Sequence, residues 1–193
     1  MGTRDRILDA AVEVLRTRGQ AGATTKEIAR VAGCSEGSLY TYFATKGDLL
    51  HAVMAEKLPP FIPVIAALME RAGEDTVLEH LEEVAGVAVP YFVELMPLAA
   101  TVLASPELNE SVRRQGLGPH RANQIVASYL RLEQRLGRIR PEASVESAAA
   151  LLLGACQQRA MQGQFLGRAP DPEEDERFVK DLAATLTLGL VPV

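Results

Sequence analysis

Apolar residues recur every three or four positions along most of the chain, while strand-like alternation never extends beyond a few residues. Ile7, Ala10, Ala11, Val14 and Leu15 form one such stripe, flanked by Arg4, Asp5, Glu13, Arg16 and Arg18, and Gly19 is expected to stop this first helix. A second helix is predicted from Thr24, whose hydroxyl caps it while Glu27 reaches back in a capping box. Ile28, Ala29 and Ala32 give its inner face, and Gly33 ends it. A third, short helix runs from about Ser35 to Tyr42. A fourth is capped by Thr45, opens with Lys46 and carries Leu49, Leu50, Val53 and Met54 until Pro59, Pro60 and Pro63 break or kink it. Later helices are expected at about 76–95, 98–104, 115–136, 144–165 and 172–190, with Pro90, Pro97, Pro106 and Pro119 punctuating the middle. The last has a clear start: Asp171 caps, Pro172 suits the first helical position, and Glu173, Glu174, Asp175 and Glu176 favour the positive end of the dipole. The chain reads as all-α, with no internal repeat.

Composition agrees with helix packing. Hydrophobic residues make up 48%, aromatics 5%, and there is no Trp, so the core is built from Ala, Leu and Val. The net charge of -5 does not advertise a nucleic-acid binder, but it is unevenly spread. Residues 1–50 hold seven Lys/Arg against six Asp/Glu, and the remainder thirteen against nineteen. The acidity therefore lies beyond residue 50, and any DNA contact must rest on placed groups rather than on bulk charge. Cys34 and Cys156 lack a metal-ligand spacing and read as small hydrophobes. No signal peptide is visible, and charge-free stretches reach only about a dozen residues, too short to span a bilayer. A soluble cytoplasmic protein is expected.

The segment Thr24–Tyr42, TTKEIARVAGCSEGSLYTY, carries the functional signal. Ala29 is small where two helices must cross closely, Gly33 four residues on can take the left-handed conformation of a sharp turn, and Leu39 points back as an apolar lock. Ile28, Cys34 and Tyr42 are assigned to the remaining inward positions. This is what a helix-turn-helix needs. On the outward face, Thr25 and Lys26 open the second helix, where free N–H groups suit a phosphate. Glu36, Gly37, Ser38 and Thr41 project from the third helix, and the short side chains of Gly37 and Ser38 allow close approach to base edges. Tyr40, Tyr42 and Lys46 are placed for backbone contacts. Glu36 either accepts from a cytosine amino group or is a solvated carboxylate at a helix start.

The run TTKEIARVAGCSEGSLYTYFATKGDLL, Thr24 to Leu50, resembles the DNA-binding signature of TetR-family regulators, and RDRILDAAVEVLRTRG before it is also similar to that family. The resemblance covers roughly the first quarter of the chain. It implies that Thr25, Lys26, Tyr40, Tyr42 and Lys46 position the phosphate backbone of double-stranded DNA, while Glu36, Gly37, Ser38 and Thr41 face the bases. Cys34 stands where the family commonly has a small aliphatic residue.

Further along, AAALLLGAC from Ala148 to Cys156 is apolar all round and must be covered on more than one face. The final helix adds Phe178, Val179, Leu182, Ala183, Leu186 and Leu190. The resemblance implies that this pair meets the same pair of a second subunit in a four-helix interface, with Leu151, Leu152, Ala155, Cys156, Arg159, Phe178, Leu182 and Leu186 at the contact. Between the two ends, Met54, Phe61, Met69, Tyr91, Phe92, Met96 and Tyr129 are candidates to line an apolar effector pocket, with His120, Asn123 and Gln124 as polar handles; ordinary helix packing explains the same residues. The expected organisation is thus a three-helix helix-turn-helix domain at 1–50, then a helical effector-binding and dimerisation domain at 51–193. The expected function is a homodimeric repressor on a palindromic operator, released by an apolar small molecule; an effector-independent or activating regulator of the same fold is the alternative. His51, His80 and His120 share no metal-ligand interval, and no phosphate loop, nucleophile elbow or HExxH occurs. Neither an enzyme, a cofactor nor a metal is expected.

Overall fold

A computed structural model of the chain describes residues 2–114 and 119–191. Among the described residues there are ten helices and no strand: α1 (Thr3–Gly22), α2 (Thr25–Val31), α3 (Glu36–Tyr42), α4 (Lys46–Glu56), α5 (Phe61–Leu68), α6 (Val77–Leu103), α7 (Pro106–Arg114), α8 (Pro119–Arg135), α9 (Val145–Phe165) and α10 (Pro172–Leu190). The all-helical expectation holds. Contacts divide the chain differently from a cut at residue 50. One compact unit comprises Met1–Leu58 with Glu94–Leu117, the other Pro59–Val93 with Gly118–Val193.

In the first unit the stripe of α1 meets Ile28 and Ala29 of α2, Leu39 of α3, and Leu49, Leu50 and Val53 of α4 in one buried cluster. Leu98 and Val102, from the last part of α6, join it, and Leu108 and Val112 of α7 pack on its edge. Gly19 breaks helical geometry with φ 59°, yet a further turn carries α1 to Gly22. In the second unit α8 packs along α9, α10 packs against α9, and α5 against α8. Val126 and Leu130 of α8 and Leu152, Leu153 and Cys156 of α9 are buried. Asp171 caps α10 through the N–H groups of Glu173 and Glu174, with Pro172 in the first turn, as expected.

Three differences from the expected elements have physical causes. The helices at 76–95 and 98–104 are one, α6, despite Pro90 and Pro97. Proline withholds a donor from the carbonyl four residues back. The carbonyl facing Pro97 belongs to Val93, and it accepts instead from Gln164 Nε2 at 3.2 Å; the one facing Pro90 belongs to the exposed Gly86. Pro63 sits in the first turn of α5, where it is tolerated, so the prolines after α4 end one helix and start another. α7 forms where no helix is expected from the spacing, and the first residues of the helix expected at 115–136 lie outside the described residues.

Continuity through the prolines also makes α6 long and apolar enough to cross a membrane by length and composition. Leu81, Val84, Ala85, Ala88 and Val89 are nonetheless buried in the second unit, as in the core helix of a folded protein.

Candidate nucleic-acid interface

Local chemistry sets up the turn between α2 and α3. Thr24 has extended geometry and its hydroxyl accepts from Glu27 N at 3.1 Å, the expected cap. The other half of the expected capping box is replaced. The Glu27 carboxylate accepts from Arg30 Nε at 2.9 Å and Arg30 Nη2 at 2.7 Å, and pairs with Arg18 Nη1 at 2.9 Å. Those bonds, Arg30's first, hold its carboxyl below the usual glutamate range. A reciprocal capping box does form two helices later, on α4: the Thr45 hydroxyl accepts from Asp48 N, and Asp48 Oδ2 accepts from Thr45 N.

Gly33 takes φ 67° and ends α2, with Cys34 N donating back to Ala29 O at 3.0 Å. Ser35 then caps α3 by accepting from Ser38 N. Leu39 is fully buried, so the short helix is pinned by the expected lock. Tyr42 does not take the inward position assigned to it. It is 46% exposed, and Phe43, one residue on, is buried instead. α3 ends at Tyr42, and the extended backbone of Phe43 turns its ring into the core, where Arg4 lies 5.4 Å from the ring centroid.

Outward from this frame stand Tyr40, Thr41, Tyr42, Gly37 and Lys26, all exposed, with Thr25, Glu36, Ser38 and Lys46 half-buried. Thr41 Oγ1 donates to Gly37 O at 3.1 Å, so its methyl and lone pairs are what it offers outward. Thr25 Oγ1 donates to Glu36 Oε1 at 2.5 Å and lies 3.4 Å from the Tyr40 hydroxyl. Glu36 is therefore not a simply solvated carboxylate. Lys46 opens α4, and burial lowers its ammonium pKa from the ordinary lysine value. The nine residues named for DNA lie on α2, α3 and the start of α4, all in the first unit.

The second unit corrects part of the expected contact set. Leu152 and Cys156 are fully buried inside their own chain; the thiol reaches Ala85 O at 4.0 Å, and burial pushes it up to about 12. They are not available to a partner. The exposed apolar positions of the helix pair are Leu151 at 61% and Leu188 at 81%, followed by Met161 and Phe165 toward the end of α9. Ala155, Leu182 and Leu186 are half-buried. Arg159 stacks 4.9 Å over the Phe178 ring and its Nε donates to Asp175 at 2.5 Å, so both expected contact residues already serve the α9–α10 packing.

Of the pocket candidates, Phe61, Tyr91 and Phe92 form an aromatic stack in the second unit, with Phe61 4.8 Å from Tyr91 and 6.1 Å from Phe92. Burial raises the Tyr91 hydroxyl above its ordinary value. His120 and Gln124 are exposed on the first turns of α8. Met54 and Met96 lie in the first unit, where Met54 packs on its core. Tyr129 is no apolar wall. It is fully buried in a polar network, donating to Glu133 Oε1 at 3.0 Å, while Glu133 also accepts from Gly73 N and pairs with Arg138. Sequence spacing hid this network, because only the fold brings residues 73, 80, 133 and 138 together.

A short helix locked behind a glycine turn, with its other side free, defines a helix-turn-helix protein. Residues 7–53 match bacterial regulatory proteins of the tetR family, and residues 83–188 match the AefR-like transcriptional repressor C-terminal domain. The HTH-type transcriptional regulator SrpR of Pseudomonas putida is 37% identical over 98 residues, 49% of this chain, and the match spans only 45% of that relative's length. The HTH-type transcriptional regulator BetI of Ectopseudomonas mendocina is 25% identical over 185 residues, 92% of this chain and 90% of that protein. Among solved structures, the fatty acid degradation regulator FadR of Bacillus halodurans has a TM-score of 0.72 at 24% identity, covering 97% of this chain and 95% of its own. FadR of Bacillus subtilis, solved in complex with stearoyl-CoA, has a TM-score of 0.69 at 24% identity, covering 96% and 98%. The chain belongs to the tetR family of bacterial regulatory proteins. It is a DNA-binding transcriptional regulator.

Proposed function

We propose that the chain is a cytoplasmic repressor that binds a palindromic operator as a homodimer and is released by an apolar small molecule. The observation that carries this is the exposed side of α3, held outward by the Gly33 turn and the buried Leu39. Gly37, Ser38 and Thr41 meet base edges in a major groove, and Glu36 lies at the start of the same face. Thr25, Lys26, Tyr40, Tyr42 and Lys46 contact phosphates. With only seven Lys/Arg against six Asp/Glu in residues 1–50, one half-site binds loosely. Two joined subunits multiply their affinities when half-sites lie about one DNA turn, roughly 34–36 Å, apart. Leu151 and Leu188, exposed on neighbouring helices, are what a second copy would cover. The Phe61–Tyr91–Phe92 stack supports an apolar effector, in keeping with the acyl ligand of the Bacillus subtilis FadR structure. Effector binding would favour an arrangement whose α3 pair no longer matches successive grooves.

Selection of bound sequences from a random duplex pool tests this. A two-fold symmetric consensus is expected. A consensus without symmetry would overturn the dimeric mode, and no enrichment at low salt would overturn operator recognition itself.

A further inference from the structure

We infer that Glu36 sets DNA selectivity by competing with backbone phosphate for the Thr25 hydroxyl, an inference that rests on the DNA-binding mode above. Thr25 is the first residue of α2 and Glu36 the first of α3, so the 2.5 Å bond between them ties the two entry points of the helix-turn-helix. A bond that short from a hydroxyl to an ionised carboxylate is charge-assisted and strong. A hydroxyl has a single proton to give. While Thr25 gives it to Glu36, it has none for a phosphate. Tyr40, the other hydroxyl at this spot, lies 3.4 Å from the same Thr25 oxygen.

Charge sharpens the competition. Among the described residues no Lys or Arg pairs with Glu36, in contrast to Glu27 with its two arginines. A phosphate approaching Thr25 and Tyr40 therefore meets a bare negative charge. Every duplex pays this penalty unless the carboxylate finds another donor. The first residues of a recognition helix face base edges, and a cytosine amino group donates to a carboxylate. Where cytosine stands at that position, Glu36 can exchange Thr25 for the base and free the hydroxyl for the backbone. Elsewhere it stays and repels. Selectivity then comes from rejecting wrong sequences as much as from holding the right one.

The chain and its E36Q, E36A, T25A and T25A/E36A variants would be titrated by fluorescence anisotropy against a random duplex and against the selected operator. Far-UV circular dichroism checks that each variant keeps its helices, and E36Q retains an amide oxygen that can still accept from Thr25. E36Q, which removes the charge but keeps an acceptor for Thr25, is expected to bind the random duplex about fivefold more tightly, the factor for one like-charge contact at about 4 Å in water, and E36A, which also frees the hydroxyl, more tightly still. Their ratio of operator to random affinity should fall, and reselection with E36A should lose a cytosine preference. In the T25A background, adding E36A should gain less, because there is no hydroxyl left to compete for. If the wild type binds the operator while E36Q and E36A leave random-duplex affinity unchanged or lower, the role assigned to Glu36 is overturned alone. If the wild type binds no duplex at all, the DNA-binding mode falls, and this inference with it.

Discussion

His80 Nδ1 and the Tyr129 hydroxyl lie 2.6 Å apart, and both side chains are wholly buried. The tyrosine has one proton, and it goes to Glu133. His80 must therefore be the donor in the first bond, which places a proton on Nδ1. Burial, with the Glu133 charge after it, keeps the tyrosine hydroxyl well above its ordinary pKa, so it remains a donor. Replacing Tyr129 by Phe strands a buried donor and weakens the hold on a buried carboxylate. The variant should lose about 1–3 kcal/mol of stability, read from urea unfolding. An unchanged midpoint would show that the network is incidental to stability.

Lys46→Ala should weaken binding to any duplex and reduce the slope of log affinity against log salt by about 0.9, the share of one phosphate contact. Because burial favours the neutral amine, Lys46 gives up its proton at lower pH than a free lysine. Wild-type binding should therefore start to weaken on the alkaline side before ordinary lysines titrate, and the variant should lack that early limb. Equal salt slopes for the two proteins would remove Lys46 from the contact set.

A charge on the α9–α10 surface should separate the proposed dimer without unfolding the chain only if it lands on an exposed position. Leu151→Glu and Leu188→Glu are expected to sediment as folded monomers. Leu152→Glu buries a charge in the chain's own core and should lose the fold itself. Dimeric sedimentation of both surface variants would move the interface elsewhere.

Gly33→Ala meets no atom within 4 Å, so its penalty is purely conformational. Placing an L side chain at φ 67° should destabilise by about 1–2 kcal/mol, visible as a lower melting temperature. DNA affinity should fall only as far as the folded fraction does. A variant as stable as the wild type would mean that the turn can relax to another conformation.

The helix-turn-helix was legible because its determinants are local. Ala29, Gly33 and Leu39 stand within one turn-sized window, and each does what its residue type does best. Even there, although α3 ends at Tyr42 as expected, the inward position was misplaced by one residue. Periodicity placed Tyr42 inward, whereas the helix stops and extended backbone hands that position to Phe43. The same one-residue slip recurs on α9. In a run as uniformly apolar as Ala148–Cys156, composition gives no phase, and a shift of one residue turns a side chain by about 100°. Leu151 and Leu152, both assigned to the subunit contact, thus part, one at the surface and the other in the core. The buried polar network was not legible at all, because its members come from three separate parts of the chain. Glu36 was seen, but its partner Thr25 lies on another helix, eleven residues back.

Gln164 gives Val93 the hydrogen bond that Pro97 cannot, and this ties the histories of two distant positions together. While proline occupies 97, losing the Gln164 amide leaves a helix carbonyl wanting a donor. Once any other residue enters at 97, its own N–H can serve Val93, and Gln164 is free to drift. Substitutions at these two sites are therefore coupled: losing Gln164 costs more while the proline is present, and the exposure of the bond to water keeps that cost small.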